Sequence, residues 1–185
     1  MTKKSIITST SIVFVIIVIG IVLYILYGGK TTNPTNTNSN VSTGTSSEAM
    51  GSYIASTSSL NNFNKLISAA GVNNMLNNTT TNYLVLAPEN SAFNNLPNGY
   101  FDSLLNTNSQ AAQNIAKYSI VSNPSGQLTS GLKLSTDEGQ QIVVGVAGNQ
   151  YTFTDAKGDT ATTVSAPQKT ANGTIYFVNN VLLPQ

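Results

Sequence analysis

Tyr83-Leu84-Val85-Leu86-Ala87-Pro88-Glu89-Asn90-Ser91-Ala92-Phe93-Asn94-Asn95-Leu96-Pro97 sets the reading of the whole chain. Residues Tyr83 to Ala87 are a nearly continuous apolar run, and Pro88 then removes a backbone donor, so a short buried strand is predicted to stop there. Asn90-Ser91-Ala92-Phe93 reads as the start of a helix. Asn90 or Ser91 would satisfy free amides of its first turn, while Phe93 and Leu96 would face inward.

Working upstream, Leu60, Phe63, Ile67 and Ala70 recur at three- and four-residue steps with Leu66 beside them, and Gly71 follows where a helix would end. An amphipathic helix is predicted over 60–70, with one further turn carrying Val72, Met75 and Leu76. Downstream, Asn98-Gly99 marks a turn. Phe101, Leu104 and Leu105 form the next apolar face, and Ala111, Ala112, Ile115 and Tyr118 the one after. Beyond Ser119-Ile120-Val121 the pattern changes to short β-type segments at 132–134, 142–146, 151–153, 162–164 and 175–178, separated by Gly139, Gly148-Asn149, Lys157-Gly158 and Asn172-Gly173. Val181-Leu182-Leu183 reads as a last apolar strand. Helices first and strands second predict an α+β domain rather than an alternating α/β one.

The opening run is similar to the first signature of the fasciclin domain, in which a strand leads into Ala-Pro, a polar pair, Ala-Phe and Leu-Pro; Ala87, Pro88, Asn90, Ala92, Phe93, Leu96 and Pro97 carry the match. Asn172-Gly173-Thr174-Ile175-Tyr176-Phe177-Val178-Asn179-Asn180-Val181-Leu182-Leu183-Pro184 resembles the second signature, through Asn172, Gly173, Ile175, Val178, Val181, Leu182 and Pro184. The likeness extends from about Ala49 to Pro184. It implies a wedge of two β-sheets flanked by helices, displayed on a cell surface or in a matrix, and working in adhesion or molecular recognition rather than catalysis. There are three departures from the family pattern. The tyrosine-histidine pair of the central strand is Tyr118-Ser119, the histidine near the last strand is Tyr176, and an Asp-Ile pair implicated in receptor recognition in animal members falls near Pro167-Gln168. The fold expectation survives these changes, whereas integrin-type recognition does not carry over. The motif residues themselves read as mainly structural.

Ahead of the domain, Ile6 to Tyr27 carries no charge, and about 22 residues of helix would cover the roughly 30 Å of a bilayer's hydrocarbon core. Lys3 and Lys4 precede this run and only Lys30 follows closely, so the positive-inside bias places residues 1–5 in the cytoplasm and the domain outside. A cleaved secretory signal is the rival reading. The length of the apolar run, the lack of an A-x-A-like pair after it, and Tyr24 and Tyr27 at the outer interface favour a retained membrane anchor. Residues 28–48, rich in Asn, Thr and Ser, offer almost nothing to bury and read as a disordered tether.

Charged residues make up only 8% of the 185-residue chain, and net charge is +1. There is no arginine and no basic run, so nucleic-acid binding is not expected. Histidine and cysteine are both absent, which removes the usual general base, the thiol nucleophile and the ligands of most zinc and copper sites. No catalytic residue, cofactor site or metal site is assigned. Asp155-Ala156-Lys157-Gly158-Asp159 has a calcium-loop flavour, but Lys157 stands where an oxygen ligand belongs, and a hairpin turn is the better reading. N-glycosylation patterns occur at Asn40, Asn77, Asn78 and Asn172. The expected partners are the membrane, through the N-terminal helix, and a surface protein, matrix component or glycan. Weak homo-oligomerisation, small-ligand or lipid binding, and a purely structural cell-envelope role stay open as alternatives.

Overall fold

The computed structural model describes residues 46–185. The predicted transmembrane segment, and the tether up to residue 45, lie outside the described residues. Among the described residues, no helix is long and apolar enough to cross a membrane.

The first part is helical: α1 (Met50–Ser56), a 3-10 turn (Ser58–Leu60), α2 (Asn61–Ala69) and α3 (Asn73–Leu76) precede strand β1 (Tyr83–Pro88). A second 3-10 turn (Asn90–Asn95), α4 (Tyr100–Asn106) and α5 (Ser109–Tyr118) follow. Strands β2 (Ile120–Ser122), β3 (Lys133–Ser135), β4 (Gln141–Ala147), β5 (Gln150–Thr154), β6 (Thr160–Thr162), β7 (Gln168–Thr170) and β8 (Gly173–Val178) complete the domain. They form two four-stranded sheets, one ordered β2-β1-β8-β7 and the other a meander β3-β4-β5-β6. The architecture is α+β, with two sheets and a helical layer.

Strand β1 is apolar throughout because it is covered on both sides. Tyr83, Val85 and Ala87 point into a core shared with Phe63, Leu66, Ile67, Leu104 and Ile115 of the helices. Leu84 and Leu86 point the other way, to Ile142, Val144, Phe153 and Ala161 of the meander. The period-two alternation of a strand therefore feeds two separate cores, and β1 is the wall between them.

The partner of β1 on one side is β8, which runs parallel to it from Tyr83↔Gly173 to Pro88↔Val178, while β2 lies antiparallel on the other side. This arrangement explains how a proline sits inside a central strand. Backbone N–H groups alternate in direction; Leu86 donates towards β2, to Ser119 O, and Glu89 donates towards β8, to Val178 O. Position 88 therefore points to the β2 side, beyond the last paired residue, Val85, where no ladder bond is lost.

Several sequence expectations are corrected. The turn after Pro88 is a 3-10 helix with no side-chain cap of its own. Asn90 serves a different helix: its Oδ1 accepts from the Asn62 N–H at 2.9 Å and its Nδ2 donates to Ser58 O at 2.8 Å. It closes the start of α2 from a distance, a role that local spacing does not reveal. Truncation in Asn90→Ala should destabilise the domain by about 1–2 kcal/mol, read as a lowered urea midpoint at unchanged slope. The 162–164 segment is shifted: β6 ends at Thr162, and Thr163 makes an isolated bridge to Val178 of the other sheet. Val181-Leu182-Leu183 forms no ladder. Val181 packs into the helical core and Leu182 into the inter-sheet core, so the segment keeps strand-like alternation without a strand to pair with. Strand β7, too polar to read as a strand, forms the outer edge of its sheet. Ser46 N–H donates to Lys169 O and Ala171 N–H to Glu48 O, so residues 46–48 cover that edge.

Candidate recognition site

The residues of the two sequence motifs meet at the β1–β8 ladder. Ala87, Ala92, Phe93, Ile175, Val178, Val181 and Leu182 are all buried in one or other core. Phe93 lies against Phe101 with ring centroids 4.7 Å apart. Leu96 and Pro184 are half-buried and Pro97 is exposed. Asn172 lies 3% exposed and holds three chain segments together: Oδ1 accepts from Met50 N–H, and Nδ2 donates to Leu76 O and Asn78 O. A sugar cannot be added to that amide in the folded domain. Of the other glycosylation patterns, Asn77 and Asn78 are exposed, and Asn40 lies outside the described residues.

Tyr118, at the end of α5, is fully buried in the inter-sheet core. Its Oη and Asp155 Oδ2 are both buried, and the Ala156 backbone only partly offsets the burial of the phenol. Burial, reinforced by the Asp155 carboxylate, pushes the phenol up to about 12 from its ordinary 10.0. A raised folded value means the native state holds this proton more tightly. The associated stability is complete below about pH 10 and is lost as pH rises towards about 12, on the order of 2–3 kcal/mol in all. Tyr118→Phe should therefore be close to neutral at pH 7, and the wild-type and variant stability curves, followed by urea denaturation from pH 8 to 12, should diverge only in alkali. The other carboxylate oxygen, Asp155 Oδ1, accepts from the Lys157 and Asp159 N–H groups, both at 2.9 Å. This is a side chain closing the β5–β6 hairpin. Among the described residues no cluster of potential metal ligands occurs.

Open concavities lie at the far end of the β4–β5 hairpin. One, of about 590 Å³, is lined by Asn149, Gln150, Tyr151, Thr163, Ser165 and Pro167 among others, with Val164 exposed at its rim. A second, of about 470 Å³, includes Asn82, Gln127, Tyr151, Lys169, Thr174 and Tyr176 in its lining. Tyr151 belongs to both. Its N–H donates to Thr163 Oγ1 at 3.0 Å and its carbonyl accepts from Thr163 N–H at 2.9 Å, which fixes the backbone beneath the ring. Tyr176 packs edge-on against it at 5.3 Å, and Phe153 lies 5.7 Å behind Tyr176. Neither lining contains a carboxylate, and Lys169 is the one charged residue among them.

The sequence singled out only the margins of this surface. In the sequence Tyr176 and Pro167 stand out only as departures from a family pattern; Pro167 lines the larger concavity while Gln168 is buried in β7. Tyr151 reads, from sequence alone, as no more than a strand residue. The clustering of Asn149, Gln150 and Tyr151 with Thr163 and Ser165 depends on the bridge between Thr163 and Val178, which joins the two sheets and has no local signal.

The fold and surface thus define an α+β domain with two packed cores, one exposed uncharged hollow and a second beside it carrying a single lysine. Comparison with known proteins is consistent with that class. A family model described as the fasciclin domain matches residues 58–184. Immunogenic protein MPB70 of Mycobacterium bovis and immunogenic protein MPT70 of Mycobacterium tuberculosis are each 32% identical over 102 residues, 55% of this chain and 50% of theirs. The chain spans about half the length of these curated relatives. A solved structure of a FAS1 domain pair from the insect cell adhesion molecule fasciclin I superposes with a TM-score of 0.64, covering 75% of this chain and 52% of that one at 15% identity, a likeness of fold alone. The chain belongs to the fasciclin domain family.

Proposed function

We propose that this protein is a membrane-anchored recognition module, non-enzymatic, whose fasciclin domain is held outside the cytoplasm to bind a surface protein, matrix component or glycan. The observation that carries most weight is the contrast between the closely packed gap between the sheets and the open surface hollows lined by polar and apolar groups together. The gap lined by Leu86, Tyr118, Ile142 and Leu182 has no room for a water molecule, whereas the concavities at Tyr151 are open to solvent. A lipid or other apolar ligand would need an enclosed apolar cavity of several hundred Å³, which this gap between the sheets does not offer. The adhesion molecule among the solved structures lends support by family membership only. The uncharged span Ile6 to Tyr27 and the polar stretch after it supply the proposed anchor and tether. Weak single-site binding then gains through many copies on one surface.

The test is a cell-attachment assay with surface-displayed protein. Removal of residues 49–185 should abolish attachment, and protease added to intact cells should degrade the domain. Unchanged attachment after the deletion would sink the recognition role, and a protected domain would sink the orientation.

A further inference from the structure

We propose that the paired concavities around Tyr151 form one binding groove for a neutral saccharide chain, a proposal that rests on the recognition reading above and names its ligand class. A sugar ring presents hydroxyls that both donate and accept, together with patches of C–H that remain apolar. The groove offers the counterpart of each. Asn149, Gln150 and Ser165 on one side, and Asn82, Gln127 and Thr174 on the other, supply side-chain amides and hydroxyls of both hydrogen-bonding senses. Between them stands a tyrosine, whose ring is apolar on its faces and polar at its tip.

The platform is rigid where it needs to be. Thr163 clasps the Tyr151 backbone, Tyr176 meets the ring edge-on, and Phe153 is fully buried behind. A groove built on paired strands and an edge-to-face aromatic series loses little freedom when it binds. Volumes of about 590 and 470 Å³ on the two sides of one ring suit a chain that passes over Tyr151 better than a single compact ligand.

The same lining argues against other occupants. An anionic polymer would meet Lys169 alone, and a cationic one no carboxylate at all. A protein hot spot requires an apolar side chain entering a desolvated pocket. Both concavities are instead open to solvent, the larger lined by polar and apolar groups alike and the smaller mainly by polar ones.

The test uses the full chain in lipid nanodiscs, which avoids detergents with sugar headgroups, and three probes: an oligomer of N-acetylglucosamine, a glucose oligomer and a sulfated polysaccharide. At least one neutral oligomer should show saturable binding by saturation-transfer NMR. Tyr151→Ala should weaken it by about tenfold, equivalent to ~1.4 kcal/mol. Gln127→Ala and Asn149→Ala, at exposed loop positions, should each weaken it severalfold with the melting temperature unchanged, so the proposal stays testable if Tyr151→Ala misfolds. Failure of both neutral oligomers to saturate, binding of the sulfated polymer alone, or equal binding by all three variants would overturn it. Cell attachment that depends on residues 49–185 in a wild-type chain that binds neither neutral oligomer would overturn this groove assignment and leave the broader recognition role standing.

Discussion

Gly173→Ala should leave no stably folded domain. At this first residue of β8 the backbone has φ +144°, a conformation that side chains with a Cβ rarely adopt. The space is also taken: an added Cβ would lie 1.9 Å from the carbonyl oxygen of Tyr83 and 2.8 Å from its carbonyl carbon. Both are backbone atoms of the neighbouring strand, so no rotamer change can relieve the contact. Relief requires β1 and β8 to separate where their parallel ladder begins, at Tyr83↔Gly173, and this ladder divides the two cores. The expected loss exceeds about 4 kcal/mol, a large share of the total stability of a domain this size. Circular dichroism of the purified variant should show no cooperative thermal transition. Gly145→Ala is the matched control: its Cβ would meet the Thr152 side chain no closer than 3.5 Å, an ordinary contact. A cooperative transition in Gly173→Ala within a few degrees of wild type would refute this account of the motif glycine.

How much of this could be read from the sequence depends on the range of each interaction. Apolar periodicity reports what one element buries, and it located α2, β1, β4, β5 and β8 because each has an inward face. It cannot report which strand lies beside which. The pairing of β1 with β8 joins residues far apart in the sequence, and the spacing within either motif does not carry it. Strand β7 was missed because Gln168, Lys169 and Thr170 have polar side chains, and its strand character comes from the β8 backbone beside it. Val181 to Leu183 reads as a strand for the opposite reason. Alternation between the two cores persists there after the ladder has ended, since burial and pairing are separate requirements. The candidate groove was the least legible part. Surface loops converge according to how the sheets are stitched, as at Thr163, and amides or hydroxyls are too common in this chain for their spacing to mark a site.

Asn172→Ala should be nearly as damaging as the glycine change, through chemistry rather than sterics. The Asn172 side chain supplies an acceptor to Met50 N–H at 2.8 Å, in the first residue of α1, and donors to Leu76 O at 2.9 Å and Asn78 O at 3.0 Å, at the end of α3 and just after it. Helix termini leave such backbone groups without intrahelical partners, and here a single amide satisfies the start of one helix and the end of another. Met50 and Leu76 are fully buried, so water does not readily replace the lost partners. Each buried group left unpaired costs about 1–3 kcal/mol, which places the total for Asn172→Ala at about 3–5 kcal/mol. Substitution to Asp keeps the acceptor for Met50 but turns a donor into a second acceptor facing two carbonyl oxygens. Asn172→Asp should therefore recover little of the loss at pH 7 and more as pH falls and the carboxyl gains a proton that it can donate. Urea denaturation of both variants at pH 7 and pH 4 separates this from a packing effect. If Asn172 mattered only for its volume, the near-isosteric Asp would restore stability at both pH values, and the hydrogen-bonding role assigned to the amide would be wrong.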